Sequence, residues 1–331
     1  MTRAKIKLIV TALSLALALA GVGPASAAGQ LLVLNKSEDT LAFVDPVKLE
    51  LLGIVPTGRA PHELAVDAAS ATAYVANYGT QAEPGHTISV VDLAARRLAG
   101  LIELGEHLRP HGLTIAPDGS LWITCEGSRE VVVVDPKARK VLRSFKTGQQ
   151  VTHMVVLTPD GKRAYTANIG SDTVTSIDAV TGDIIQIPVG KGPEAIDVTP
   201  DGKEVWVAHR EDGGITIIEA STGKVIQRLE NVGAMPIRLK FTPDGKRVLI
   251  SCARGGEVVL YDTARRSELA RIKTGEMPIG LLVLPGGSRA FVANTQADKV
   301  SLLDLDKAEV IGAVSPGREP DGLAWMNGGD R

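Results

Sequence analysis

Aromatic residues and cysteine are scarce in this chain. Eleven of the 331 residues are Phe, Trp or Tyr, and two are Cys. So few rings argue against a protein that stacks nucleic-acid bases or sugars. The sequence also lacks a Cys-x-x-Cys-His haem attachment, a cysteine pair for structural zinc, a phosphate-cradling glycine motif and a nucleophile elbow. These absences argue against several common cofactor and enzyme classes.

Neither sign of charge is in clear excess. The chain has 36 basic and 38 acidic residues, and three of the basic residues lie in the first 28 positions. The remainder therefore carries 33 basic against 38 acidic residues, a net charge of −5. This balance argues against a general polyanion binder, so no nucleic-acid partner is expected.

Long apolar runs are absent apart from one near the start of the chain. Leu8 to Val22 spans 15 residues, follows a basic segment and precedes Ala-Ser-Ala at 25–27. This pattern predicts a signal peptide over 1–28, cleaved after Ala27 or Ala28. The run is short for a membrane span. We therefore expect export, to the periplasm, without membrane insertion, and a single domain over 29–331.

A short sequence motif recurs seven times along the rest of the chain: apolar or β-branched residues followed by an acidic residue. The acids are 47, 43, 43, 41, 43 and 42 residues apart. Glycine turns and strand-forming runs with a period of about 40–45 residues are typical of a β-propeller, one four-stranded blade per repeat. The sequence therefore predicts an all-β, seven-bladed propeller. The seven acids are Asp45, Asp92, Asp135, Asp178, Glu219, Asp262 and Asp304.

One repeat shows how a blade divides into strands. Residues 152–157 are predicted to form the innermost strand A, 163–168 strand B, 173–178 strand C and 184–189 strand D. A Pro-Asp-Gly turn joins A to B. The domain begins with a segment like strand B, at Leu31, and ends with one like strand A, at Pro320 to Trp325. The last blade should therefore combine N-terminal strands B–D with a C-terminal strand A, which removes open sheet edges.

The ends of strand B carry a recognisable signature. Tyr74–Asn77, Tyr165–Asn168 and Phe291–Asn294 each precede a Val/Ile-rich strand and an acid. Over residues 30–326 the chain resembles the YVTN-repeat propellers. That family includes surface-layer and periplasmic binding proteins and is similar to propellers that carry haem d1 or serve quinoprotein amine dehydrogenases. The resemblance implies the fold, while the function depends on the site.

The start of strand A has no shared residue across the repeats, which makes it the candidate functional position. Three consecutive blades place His there, and two acids flank them around the ring. Imidazoles beside carboxylates are typical of a transition-metal site or an acid–base pair. We predict that these side chains face one mouth of the central channel, with the imidazoles as metal ligands. The candidates are His62, His111, His153, Glu194 and Asp321.

A second set of candidates lies near the same face of the disc. Cys125 and Cys252 hold equivalent positions in blades three apart, too distant for a disulfide, so both are predicted to be free thiols. The loop after strand B of blade 1 and the connection from blade 1 into blade 2 are the longest of their kind, and they contain His86 and His107. The alternative interpretation is that these two histidines are solvated loop residues. The secondary candidates are His209, Cys125, Glu126, His86, His107 and Arg238.

Three functions remain open at this point. The leading hypothesis is a monomeric secreted propeller that binds a small ligand, a metal such as Zn, Cu or Fe, or a partner protein at the His-bearing face. The second is a metal-dependent lyase or lactone hydrolase. The Pro-His at an inner strand resembles that of streptogramin lyases, which also use a Glu near the end of strand B. Here Cys125 stands at that point and Glu126 follows. The third is a protein-docking scaffold.

Overall fold

The computed structural model describes residues 29–328, so the predicted signal peptide lies outside the described residues. Within that range, 28 strands form seven separate four-stranded antiparallel sheets. The innermost strands contact one another in a closed cycle, which makes the sheets the blades of a ring. The predicted all-β, seven-bladed propeller is confirmed. Residues 29–328 include no helix with the length and apolarity that a membrane crossing needs.

Blades 1 to 3 follow one another along the chain. Blade 1 contains β4 (Pro61–Asp67), β5 (Thr72–Gly79), β6 (Pro84–Asp92) and β7 (Arg97–Glu103). Blade 2 contains β8 (Pro110–Ile115), β9 (Leu121–Cys125), β10 (Glu130–Asp135) and β11 (Lys140–Lys146). Blade 3 contains β12 (Thr152–Leu157), β13 (Arg163–Asn168), β14 (Thr173–Asp178) and β15 (Ile184–Pro188). The bounds of blade 3 match the sequence-based assignment, except that its last strand ends one residue earlier.

Blades 4 to 6 continue the same order, and blade 7 closes the ring. Blade 4 contains β16 (Pro193–Val198), β17 (Glu204–His209), β18 (Ile215–Glu219) and β19 (Val225–Leu229). Blade 5 contains β20 (Pro236–Phe241), β21 (Arg247–Cys252), β22 (Glu257–Asp262) and β23 (Ser267–Lys273). Blade 6 contains β24 (Pro278–Val283), β25 (Arg289–Asn294), β26 (Lys299–Asp304) and β27 (Glu309–Val314). Blade 7 joins β28 (Pro320–Met326) to β1 (Gln30–Asn35), β2 (Thr40–Asp45) and β3 (Glu50–Pro56).

The closure of blade 7 is confirmed by the register of its strands. Leu31 pairs with Trp325 and Leu32 with Ala324, while Leu31 also pairs with Val44 on the other side. Chain start and chain end are therefore held in one sheet. Short 3-10 turns over Lys36–Glu38, Ile169–Ser171 and Thr295–Ala297 follow strand B in blades 7, 3 and 6.

The hydrophobic cores lie between adjacent blades. Strands B and C are buried on both faces because each sheet packs between two neighbours, whereas the outermost strands are mostly exposed, with at most one buried residue each. The largest fully buried side chains include Trp122, Trp206, Tyr165, Phe43 and Phe291. Four of these five rings lie in strand B and pack between blades. Cys125 and Cys252 are free, buried thiols in two different clusters, which confirms the prediction of no disulfide.

A β-bulge at the start of every innermost strand controls which side chains reach the channel mouth. In blade 3, Thr152 pairs with Asn168 and Met154 with Ala167, which leaves His153 unpaired. The same register shift occurs in the other six blades. A bulge re-aims the residue it leaves unpaired. All seven positions that vary at the start of strand A are therefore bulge residues, and this frees them from the packing that constrains the rest of the strand.

Candidate functional site

Three imidazoles from adjacent blades form a stack at the channel mouth. The ring centroids of His62 and His111 are 4.8 Å apart, and those of His111 and His153 are 3.8 Å apart. Each ring is carried by the bulge of its own blade, at β4, β8 and β12 respectively. The structure thus brings together the three histidines that the sequence singled out.

Carboxylates lie at both ends of this stack. Asp321 Oδ2 is 3.0 Å from His62 Nδ1, and Glu126 Oε1 is 2.5 Å from His153 Nδ1. Glu194 Oε1 is 3.6 Å from the other nitrogen of His153, Nε2. All five primary candidates and Glu126 therefore belong to one continuous group.

Several buried polar atoms in this group lack a hydrogen-bond partner among the described residues. They are His111 Nδ1, His153 Nε2 and Asp321 Oδ1, on side chains that are 4%, 8% and 2% exposed as whole residues. Buried polar atoms in native proteins are nearly always paired, so such a set marks a place where an additional ligand would be stabilised.

The donor atoms of three residues lie close enough to hold one metal ion. One atom each from His111, Glu126 and His153 fall within 4.8 Å of one another, and no other such group of His, Cys, Asp and Glu occurs in residues 29–328. This group shares two residues, His111 and His153, with the metal ligands predicted from sequence. Glu126 joins His111 and His153, while His62 lies beside this group and is held by Asp321.

Burial sets the protonation of the stack. Burial, followed by the neighbouring imidazoles, holds the pKa of His111 well below its usual value, and burial together with Arg238 does the same for His153. Both rings are therefore neutral at neutral pH and keep a lone pair for a ligand. Burial also raises the pKa of Glu194 to about 7, against the opposing effect of Arg210. Burial alone would raise the pKa of Asp321, but the hydrogen bond and charge of His62 outweigh it and leave that pKa lowered.

Cationic side chains partner the remaining carboxylates. Arg238 in blade 5 forms an ion pair with Glu63 in blade 1, and its Nη2 is 4.0 Å from Asp321 Oδ1. Lys36 Nζ is 4.0 Å from Asp321 Oδ2, and Arg210 Nη1 is 2.9 Å from Glu194 Oε2. The Arg238–Glu63 pair joins distant blades across the channel. It also lines a cavity of about 320 Å³ in the channel interior.

Tyr78 covers the outer side of the imidazole stack. Its hydroxyl donates to Glu126 Oε2 at 2.6 Å, and its ring meets those of His62 and His111 edge-on at 4.9 and 5.7 Å. Arg109 lies over the same ring, 5.1 Å from its centroid. Tyr78 and Glu63 were not among the sequence candidates. Tyr78 lies at the end of the longest strand B, so the long loop of blade 1 was the available sequence signal. Glu63 lies in a two-residue bulge, which the repeat pattern does not predict.

The other secondary candidates lie apart from the group of His111, Glu126 and His153. His209 replaces the strand-end Asn, since its Nε2 accepts from Gly190 N just as Asn77 Oδ1 accepts from Gly58 N. His107 is not a solvated loop residue, because its ring is mostly buried and its Nδ1 lies 2.7 Å from Glu130. His86 is half exposed near Glu103, and Cys125 is an apolar filler.

Comparisons with known proteins place the chain among propellers. The family model "Cytochrome D1 heme domain" matches residues 201–322. A Kuenenia stuttgartiensis hydrazine synthase structure is 25% identical over 83% of this chain and 92% of that chain, with a TM-score of 0.75. No curated protein matches significantly.

Two further structures share the fold at lower identity. A functionally unknown protein from Desulfotomaculum acetoxidans is 14% identical over 91% of this chain and all of that one, with a TM-score of 0.78. The Pseudomonas aeruginosa periplasmic gluconolactonase is 17% identical over 91% of this chain and 99% of that one, with a TM-score of 0.73. These matches support a seven-bladed propeller, while the YVTN-repeat assignment remains a prediction.

A haem, which the matching family model suggests, does not fit between the imidazoles of this mouth. The imidazoles of His111 and His153 stack with their centroids 3.8 Å apart, which leaves no gap for a macrocycle between them. The Arg238–Glu63 pair crosses the channel beside them. The donor set of two imidazoles and a carboxylate instead suits a single small cation.

Proposed function

We propose that this protein binds a divalent transition-metal ion at the channel mouth, through His111, Glu126 and His153. The observation that carries the proposal is the convergence of three donor atoms within 4.8 Å, in a buried position where two imidazole nitrogens have no partner among the described residues. Neutral imidazole with carboxylate suits Zn, Cu or Fe, whereas Ca²⁺ prefers an all-oxygen set. Three protein ligands would leave a coordination position open for a small molecule.

Metal titration of the exported protein tests this proposal. The apo protein is titrated with Zn²⁺ or Co²⁺ by calorimetry, and bound metal is measured after dialysis. We expect one ion per chain. Affinity should fall at least tenfold in His111→Ala, His153→Ala and Glu126→Gln, because each removes a ligand. His86→Ala is the matched control, since that ring is half exposed and lies outside the donor group.

The role of His62 separates the revised ligand set from the one predicted from sequence. His62→Ala should keep stoichiometric metal, because the ring lies beside the three donors and binds Asp321. A wild-type protein that takes up no metal would contradict the proposal. So would a His111→Ala, His153→Ala double variant that binds as tightly as wild type. Either result would favour a propeller face that only docks a partner protein.

A second candidate function is metal-dependent cleavage of a small substrate, either lactone hydrolysis or a lyase reaction. The observation that favours it is the buried carboxyl of Glu194, which lies 3.6 Å from His153 Nε2 without being one of the three clustered donors. A carboxyl in that position could exchange a proton with a ligand held beside it. The metal would supply Lewis-acid polarisation.

Activity of metal-loaded protein on simple lactones tests the second candidate. Glu194→Gln should abolish turnover while the bound metal stays at one ion per chain. Turnover that persists in Glu194→Gln would exclude that residue as the proton-transfer group.

We further propose that the protein acts as an exported, periplasmic monomer, in line with the leader predicted over 1–28. Cell fractionation and the mass of the native protein in solution would test these points.

A further inference from the structure

The extended hairpin of blade 1 contacts the candidate site through the side chain of Tyr78. Strands β5 and β6 have eight and nine residues, against five or six in strands B and C of the other blades. The added length brings Tyr78 to the end of β5, where Gly79 still pairs with Pro84. A hairpin that is lengthened in one blade alone is not required by the repeat, so a role at the site is the natural explanation.

Tyr78 is held in place from several directions. Its backbone N–H donates to Ala60 O at 3.2 Å, and Arg109 packs over its ring while donating to Thr80 O at 3.1 Å. The backbone N–H of Arg109 donates to Gly85 O at 2.7 Å. The β5–β6 hairpin and the connection from blade 1 into blade 2 are therefore held together around Tyr78. These contacts fix the direction of its hydroxyl.

That hydroxyl determines how Glu126 presents its carboxylate. Tyr78 Oη donates to Oε2 at 2.6 Å, while Oε1 lies 2.5 Å from His153 Nδ1. Glu126 is the first residue after β9 and has no strand partner in the blade to fix its side chain. Occupation of Oε2 leaves Oε1 as the oxygen that faces the imidazoles, which favours a carboxylate that binds through one oxygen.

We propose that Tyr78 is a positioning residue that acts through Glu126 and biases the site toward transition metals; this inference rests on the proposed metal-binding function. A carboxylate restricted to one oxygen suits a compact site with imidazole ligands. Ca²⁺, by contrast, takes six to eight oxygens and often a two-oxygen carboxylate. Partners of metal-ligating groups commonly change metal affinity by about 10–100-fold when they are removed.

The test is a double-mutant cycle between Tyr78→Phe and Glu126→Gln, with Zn²⁺ and Co²⁺ as probes. Tyr78→Phe keeps the ring and its packing, so the melting temperature of the apo protein should be unchanged. We expect it to weaken Zn²⁺ binding about 10–100-fold and to alter the visible spectrum of the Co²⁺ form. In the Glu126→Gln background the same substitution should have almost no further effect, since its target is gone.

Tyr261→Phe is the matched control, because Tyr261 packs in the core between blades 4 and 5. It should leave metal affinity and the Co²⁺ spectrum unchanged. The inference is overturned if Tyr78→Phe binds Zn²⁺ like wild type with the same Co²⁺ spectrum, or if the two substitutions are additive. A wild-type protein that binds no metal would instead overturn the proposed function itself, so the two failures are distinguishable.

Discussion

At the scale of single residues, the position of a histidine within its blade determines whether it supports packing or faces the candidate site. The strand-end residue is Asn in four blades, and in the structure its side chain bonds its own blade, while Asn35 and Asn77 also bond the loop that leads into their blade. Asn35 Nδ2, for instance, donates to Thr40 and to Pro316 O. His209 takes the place of the Asn as an acceptor, because its Nε2 accepts from Gly190 N as Asn77 Oδ1 accepts from Gly58 N. A histidine at this position is thus structural, whereas a histidine in a strand A bulge faces the site.

Glu257 illustrates how a buried carboxylate is stabilised away from the site. Its Oε1 lies 2.8 Å from Arg271 and its Oε2 lies 2.7 Å from Lys273, and the residue is 7% exposed. Burial by itself raises the pKa of Glu257, but the hydrogen bonds from Lys273 and Arg271 outweigh it and leave the pKa below its usual value. The charged form is therefore favoured by folding.

The consequence is a pH-dependent contribution to stability. Because the folded pKa of Glu257 lies below the unfolded one, its contribution is present above the unfolded value of about 4.3 and is lost as pH falls through the folded pKa. Glu257→Gln should lower the free energy of unfolding by about 1 kcal/mol at pH 7, since both cations are partly exposed. The difference should shrink toward pH 3. Urea unfolding at pH 7 and pH 3 measures it, and a deficit that is constant across this range would contradict the assignment.

At the scale of elements, the innermost strands of adjacent blades approach closely at their bulges. A Cβ placed on Gly280 would lie 2.0 Å from Asp321 O, and one on Gly322 would lie 2.4 Å from His62 O. These two glycines occupy the second bulge position in blades 6 and 7. They allow the strands that carry Asp321 and His62 to lie against their neighbours, so they contribute to the site without touching it.

Gly280→Ala should therefore push β24 away from β28. We expect a loss of about 1–3 kcal/mol in the free energy of unfolding, as for other overpacked positions. Gly286→Ala is the matched control in the same blade, because a Cβ there meets no atom within 4 Å. Urea denaturation of the two variants makes the comparison. Equal stability of Gly280→Ala and wild type would mean that the inner strands are free to separate.

At the scale of the whole molecule, stability depends on closing the ring. Strand β28 pairs with β1 and contacts β24 and β4 in the two adjacent blades. Its removal would leave β1 with an unpaired edge and open the core on both sides of blade 7. It would also remove Asp321 from the candidate site.

Deletion of residues 318–331 should consequently abolish cooperative unfolding or lower the melting temperature strongly. A chain that lacks only residues 328–331 is the control, because it retains all of β28. Thermal unfolding followed by circular dichroism distinguishes the two. A chain without residues 318–331 that melts like the control would show that the ring does not need this strand.

The architecture could be read from sequence because it repeats. Seven copies of one unit average out local ambiguity, so the period, the strands of blade 3 and the closure of blade 7 were all predicted correctly. The same alignment singled out the position of His62, His111 and His153. That position could be recognised because packing leaves it free to vary. The residues that cooperate there were harder to find, since they come from different blades.

What the sequence by itself determined is the blade count, the strand order and the ring of variable residues at the channel mouth. What only the tertiary structure decided is which of those residues form a group. Strand alternation alone does not place Glu126 at the site, but it lies just past the end of β9, where its carboxylate meets His153. Arg238 and Glu63 pair although 175 positions separate them in the chain. Contacts of this kind depend on how the bulges aim side chains across the channel, and the spacing of a repeat does not encode that direction.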